Sequence, residues 1–136
     1  MKMKNLIIPF MVLISMIPAC DLIDGDPVDP EDPRDKFLGS WKVNESCYRS
    51  NYMVEIKADP GNGAQVLLEN FGNPGPGYDD AVGLVVSNSI IVSPQTIGEG
   101  WTVSGEGDYL TGGTISWTYT IVIGANQDDC SATYFK

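Results

Sequence analysis

Histidine is absent from the 136 residues, which removes the commonest general base near neutral pH, the usual serine triad and most zinc sites. Cysteine nucleophiles lose their usual partner with it. Acid/base work by two carboxylates is the chemistry left, and the adjacent acids of the body are Asp79-Asp80 and Asp128-Asp129. Both pairs fall in stretches that read as loops or strand starts, where aspartates accept turn hydrogen bonds, so solvated turn acids explain them better than a glycosidase pair. Asn126-Gln127-Asp128-Asp129 offers oxygens to calcium, but without the spacing of an EF-hand loop. The chain is therefore expected to be non-catalytic, with no cofactor and no resident metal. Recognition is the remaining chemistry. Trp101 and Tyr109, and Trp117 and Tyr119, are separated by even numbers of residues and fall on apolar phases, which makes them the candidate ligand-binding residues, although the same placement suits ordinary core packing. Gly105 and Gly107 share the phase of Trp101 and would either leave room for a ligand or bend the strand.

The elements that must hold these side chains are strands. From Lys36 onward no long stretch has a 3.6-residue apolar period, whereas two-residue alternation recurs between clusters of Gly, Pro, Asn and Asp. Residues 40 to 48 put Trp41, Val43 and Cys47 on one face, and residues 51 to 58 put Tyr52, Val54 and Ile56 on one face. Asp59-Pro60-Gly61-Asn62-Gly63 is a turn, followed by a strand at 64 to 71. A longer loop, Gly72-Asn73-Pro74-Gly75-Pro76-Gly77, precedes strands at 80 to 87 and 89 to 93. Strands at 101 to 110, 114 to 123 and 129 to 136 complete the count. About eight short antiparallel strands in roughly 100 residues predict an all-β fold, a small up-and-down barrel or a β-sandwich.

Before the body lie two further segments. Lys2 and Lys4 precede an apolar run over residues 5 to 19 that is too short to span a bilayer and is flanked like a cleaved leader. Residues 21 to 35 hold seven acids, one base and three prolines. Proline blocks ladder pairing and like charges repel, so this stretch is expected to be an extended spacer reaching up to roughly 45 Å. The body, residues 36 to 136, carries 11 acids and five bases, which argues against nucleic acid as a partner.

Ile17-Pro18-Ala19-Cys20 resembles the bacterial lipobox, with a branched apolar residue three before the cysteine and a small one directly before it. The resemblance implies a signal peptide at 1–19, lipidation of Cys20 and a mature, membrane-anchored chain with six basic against 18 acidic residues, a formal charge of −12. Three acyl chains, each burying methylenes worth roughly 0.8 kcal/mol apiece, would hold it for its lifetime. An acidic run after the lipidated cysteine resembles the surface-export signal of some Gram-negative lipoproteins. An aspartate such as Asp21 beside the cysteine, in enterobacterial sorting, instead favours inner-membrane retention. The expected location is the outer membrane, on its surface or periplasmic face.

Phe37-Leu38-Gly39-Ser40-Trp41 resembles the Gly-x-Trp opening of lipocalins and related calycin barrels, in which the tryptophan plugs the closed end. The chain is especially similar to lipocalin-like lipoproteins of surface-displaying Gram-negative bacteria, with a cysteine shortly after that motif and a C-terminal Cys-x-Ala-x-Tyr strand, here Cys130 to Tyr134. Where lipocalins carry an arginine on the last strand against the tryptophan, this strand offers Lys136. With Cys20 taken by lipid, Cys47 and Cys130 are an even pair in an oxidising compartment, on the inward phase of first and last strands that a closed barrel makes neighbours, and a disulfide is expected there.

The resulting expectation is a monomeric, lipid-anchored eight-stranded barrel, with a signal peptide at 1–19, a tether at 20–35 and a barrel domain at 36–136, holding a small apolar ligand inside. The alternative is an envelope interaction module that binds glycan or a partner protein through loops and exposed aromatics over a filled core. An avidin-like carrier fits the first hairpins but lacks an identifiable set of polar ligand contacts. A continuous apolar cavity of a few hundred Å³, on the order usual for ligand pockets, separates the first two readings.

Overall fold

The computed structural model describes residues 31–47 and 51–136; the expected leader, Cys20 and the spacer as far as residue 30 lie outside the described residues. Eight strands, β1 Gly39–Glu45, β2 Asn51–Ala58, β3 Gln65–Glu69, β4 Ala81–Val86, β5 Ser89–Gly98, β6 Trp101–Tyr109, β7 Ile115–Ile123 and β8 Asn126–Phe135, form one closed antiparallel barrel in sequence order, with β8 returning to β1. Alternation drives this arrangement. Along β7, Ile115, Trp117, Tyr119 and Ile121 are buried while Ser116 and Thr118 are exposed, and burying four such side chains on one face contributes roughly 1.5–3 kcal/mol each. Closure leaves no unpaired edge.

Among the departures from the sequence reading, β3 ends at Glu69 rather than residue 71 and β8 begins at Asn126 rather than residue 129, and two others carry more consequence. The strand expected to stop at residue 93 runs on to Gly98 as the full β5. A register shift between Val92 and Gln95 lifts Pro94, which has no amide proton to donate, out of the ladder with β6. On the other side, the Gln95 amide replaces the missing strand pairing by accepting from Val82 N at 2.8 Å and donating to Val82 O at 2.9 Å. The second departure lies at the spacer's end. Residues 31–35 were expected to belong to the extended tether, but Asp35 begins a turn of 3-10 helix, Asp35–Phe37. Arg34 is held by Asp32 at 2.7 Å and donates to the carbonyls of Asp59, Asn62 and Gln65 at 3.2, 3.0 and 3.2 Å. The β2–β3 turn presents three carbonyls to one guanidinium, a fork with donors enough for all of them, so the folded unit starts at Glu31.

The 3-10 turn closes one end of the barrel. Phe37 and Trp41 are buried there, Trp41 Nε1 donates to Phe37 O at 2.7 Å, and Lys136 Nζ lies 4.6 Å from the Trp41 ring while donating to Leu38 O at 2.9 Å. Lys136 thus takes the place against the tryptophan where the resemblance led one to look for arginine. The seam that closes the barrel is short. β1 and β8 share only the register Lys42–Phe135 to Glu45–Ala132, while β7 and β8 pair from Ile115–Tyr134 to Ile123–Asn126. Cys47 and Cys130 form a disulfide across that seam, with Cα atoms 5.5 Å apart. Cys47 sits in the turn just after β1 rather than within a strand reaching residue 48.

Candidate functional site

The end of the barrel opposite Trp41 is formed by the last residues of β1, β3, β5 and β7 and the first of β2, β4, β6 and β8. Its longest connection, residues 70–80, is tied to the wall at both ends. Asn70 Nδ2 donates to Met53 O at 3.0 Å, and Asp79 N donates to Ile97 O at 2.7 Å. Tyr78 packs its ring against Gly98, where any Cβ would lie 2.3 Å from it, and against Trp101 at 5.4 Å between centroids. Between these anchors the chain dips inward at Phe71, which is 1% exposed, its ring 5.1 Å from that of Trp117 and 5.3 Å from that of Tyr119. Gly72 follows with φ 78°, and a Cβ there would stand 2.8 Å from Ile121 Cδ1. Only glycine combines that backbone with so close an approach. The loop covers this end of the barrel, with Phe71 as its plug.

Beneath the plug lies the most unusual group in the protein. Glu45 is 2% exposed, the only buried charged or polar residue among those described. It ends β1 on the inward phase of Trp41 and Val43. Its Oε2 accepts hydrogen bonds from the hydroxyls of both Tyr52 and Tyr119, which lie 3.2 Å from each other. The strand register explains the meeting: Tyr52 and Tyr134 flank Val43 on β2 and β8, Glu45 stands opposite Ala132, and Ala132 stands opposite Trp117. Small Ala132 lets the carboxyl and the indole share the interior. Three buried polar atoms there have no hydrogen-bond partner: Glu45 Oε1, Trp117 Nε1 and Tyr134 Oη. Each such atom costs about 1–3 kcal/mol of desolvation that nothing returns.

Burial raises the pKa of the Tyr52, Tyr119 and Tyr134 hydroxyls well above the ordinary tyrosine value, and the hydrogen bonds to Glu45 raise Tyr52 and Tyr119 further. All three therefore remain protonated in the folded protein through the neutral and mildly alkaline range. For stability, the sign follows from linkage. Below about pH 10 folded and unfolded chains both keep these protons and stability is indifferent to them; above it the unfolded chain releases protons that the folded one retains, and stability falls as pH rises. Alkaline titration read by tyrosinate absorbance should show these three hydroxyls ionising together with the loss of circular dichroism. Their smooth ionisation near pH 10, about the unperturbed value, in a still-folded protein would contradict their burial.

The four aromatics singled out from the sequence all lie on inward phases of β6 and β7, but the structure brings only two of them together. Trp117 and Tyr119 meet around Phe71. Trp101 is half-buried at the rim against Tyr78, and Tyr109 lies toward the Trp41 end, 5.7 Å from Phe37. The two glycines do not leave free space. A Cβ on Gly107 would lie 2.4 Å from the Trp117 ring and one on Gly105 2.5 Å from Tyr119 Cβ and 2.7 Å from the Thr118 carbonyl oxygen, so the indole and the β7 backbone fill the volume. Of the acidic pairs, Asp80 pairs with Lys57 at 3.1 Å, and Asp129 accepts from Thr120 Oγ1 at 2.8 Å on β8. Among the described residues, one grouping of potential metal ligands is found, Glu45 with Cys47 and Cys130, and the disulfide engages both sulfurs. Sequence reasoning passed over Glu45 and Phe71. The signal for Glu45 was its parity with Trp41 and Val43; Phe71, read from the sequence as the end of the strand at 64–71, lies beyond β3, which ends at Glu69, and no strand parity points it inward. No protein-family model, no curated protein and no solved structure matches the chain.

Proposed function

We propose that the protein is a non-catalytic binding protein, anchored to the outer membrane through a lipidated Cys20, that takes a small ligand into the lidded end of its barrel. The observation that carries this reading is the fully buried Glu45 carboxyl with an unpartnered oxygen, beside the unpartnered Trp117 and Tyr134. A barrel that only needed to be stable would fill these positions with apolar side chains. Tyrosines and a carboxyl aimed inward beneath a glycine-hinged loop are what a ligand site requires, a few placed polar groups within an aromatic lining. The reading differs from an open apolar cavity in two respects: the space beside the inward glycines is already filled by Trp117 and Tyr119, and the ligand has a polar head to meet the unpartnered Glu45 Oε1 and Tyr134 Oη. The chain has no histidine, so the cluster lacks the commonest general base near neutral pH, which supports reading it as a binding site.

Two measurements test the reading. Native mass spectrometry of protein purified from its own membrane fraction should show a small molecule bound one to one, lost on denaturation. Repeated recovery of the bare chain, with tryptophan fluorescence unresponsive to envelope extracts, would shift the function to the outer loops and wall. Metabolic labelling with a fatty-acid analogue should tag the chain and leave Cys20→Ala untagged. Unchanged labelling of that variant would remove the anchor.

A further inference from the structure

We propose that the ligand of this site is a small arylalkylammonium ion, its ammonium bound to the free oxygen of Glu45 and its ring taking the place that Phe71 occupies when the lid is closed. The proposal rests on the binding function above and adds the chemical class. As a carboxylate, Glu45 would offer Oε1 as an acceptor, and the Tyr134 hydroxyl oxygen can also accept. Both are buried and unpartnered, so the complementary group is a compact multiple donor. Among the described residues, ion pairs engage Asp32, Glu69 and Asp80, and none engages Glu45. A positive charge would therefore find a carboxyl without an ion-pair partner, met by the Tyr52 and Tyr119 hydroxyls in a buried aromatic interior, a dry surrounding that favours an organic cation over a hydrated metal ion.

The ring follows from the lid. Phe71 is the one part of the plug that enters the interior, and its withdrawal uncovers a space of one phenyl ring against Trp117 and Tyr119. Tyr119 connects that space to the carboxyl, since its ring touches Phe71 and its hydroxyl bonds Glu45. The chain's formal charge of −10 attracts cations toward it from solution.

Three probes of one shape and different charge test the class: phenethylammonium, 2-phenylethanol and 3-phenylpropionate, titrated into the full chain at neutral pH and read by tryptophan fluorescence and native mass spectrometry. Phenethylammonium should bind at least tenfold more tightly than the alcohol, with the carboxylate weakest. Glu45→Gln should lower phenethylammonium affinity at least tenfold. The charge ranking is measured on the unaltered protein, so it stands whether or not the variant folds. Equal affinities, or preference for the alcohol or the carboxylate, would overturn the cationic class while leaving the binding site in place. A chain that responds to none of the three would overturn the class and count against the binding function as well.

Discussion

Replacing Cys47 and Cys130 together by alanine is expected to lower the stability of the barrel by about 4–5 kcal/mol. The bond joins residues separated by 83 positions in sequence, so in the chain-entropy account it removes nearly the whole domain's loop freedom from the unfolded state. It also sits beside the short β1–β8 register that closes the barrel. Domains of this size have only about 5–15 kcal/mol in total, so the double variant should unfold at a much lower urea concentration, and reduction of the unaltered protein should reproduce the shift. A change under about 1 kcal/mol would mean that β1–β8 pairing closes the barrel unaided, with the disulfide strained enough to cancel its entropic gain.

Phe71→Ala is expected to cost about 3–4 kcal/mol, the range for truncating a buried phenylalanine, toward its lower end because a loop can settle into part of the hole. The substitution removes ring contacts with both Trp117 and Tyr119 and opens the polar cluster to water. Urea unfolding gives the magnitude, and a red shift of tryptophan emission in the still-folded variant gives the mechanism. A loss of less than about 1 kcal/mol with unshifted emission would show that Phe71 does not seal the interior.

How far the sequence discloses this arrangement varies by feature. Alternation across Trp41, Val43, Tyr52, Val54 and Ile56, and again across Ile115 to Ile123, is enough for eight inward-facing strands, because a period of two can serve only a sheet with a dry side. Alternation fixes which side a residue faces and not its height in the barrel. Trp101 and Tyr109 share a phase, yet eight residues at about 3.3 Å each put them roughly 26 Å apart along the strand, which is why one joins the rim and the other the Trp41 end. Glu45 is hidden by the rule that charged side chains stay outside: the apolar members of β1 lead the eye from Val43 to Cys47, past an acid of the same parity. Phe71 is hidden for another reason. Whether a loop aromatic turns inward depends on what the far walls, here β7, leave open, and no local pattern contains that. Pro94 misleads in the opposite direction, since proline ordinarily ends a strand, and only the bulge after Val92 and the Gln95 amide allow β5 to continue.

The central claim is that the Glu45 cluster is maintained for a ligand at the expense of stability. The direct measurement is urea unfolding of the triple variant Glu45→Met, Tyr52→Phe, Tyr119→Phe beside the unaltered protein, both without ligand. The triple change removes the buried carboxyl and the two hydroxyls that serve it, and replaces them by apolar groups of similar shape. Because a buried ionisable group with an unpartnered oxygen gains little from its surroundings, the account predicts a variant as stable as the original or more stable by about 1–4 kcal/mol. A variant less stable by more than about 2 kcal/mol would contradict it, and would make the carboxyl–tyrosine cluster a structural support of the barrel rather than a site.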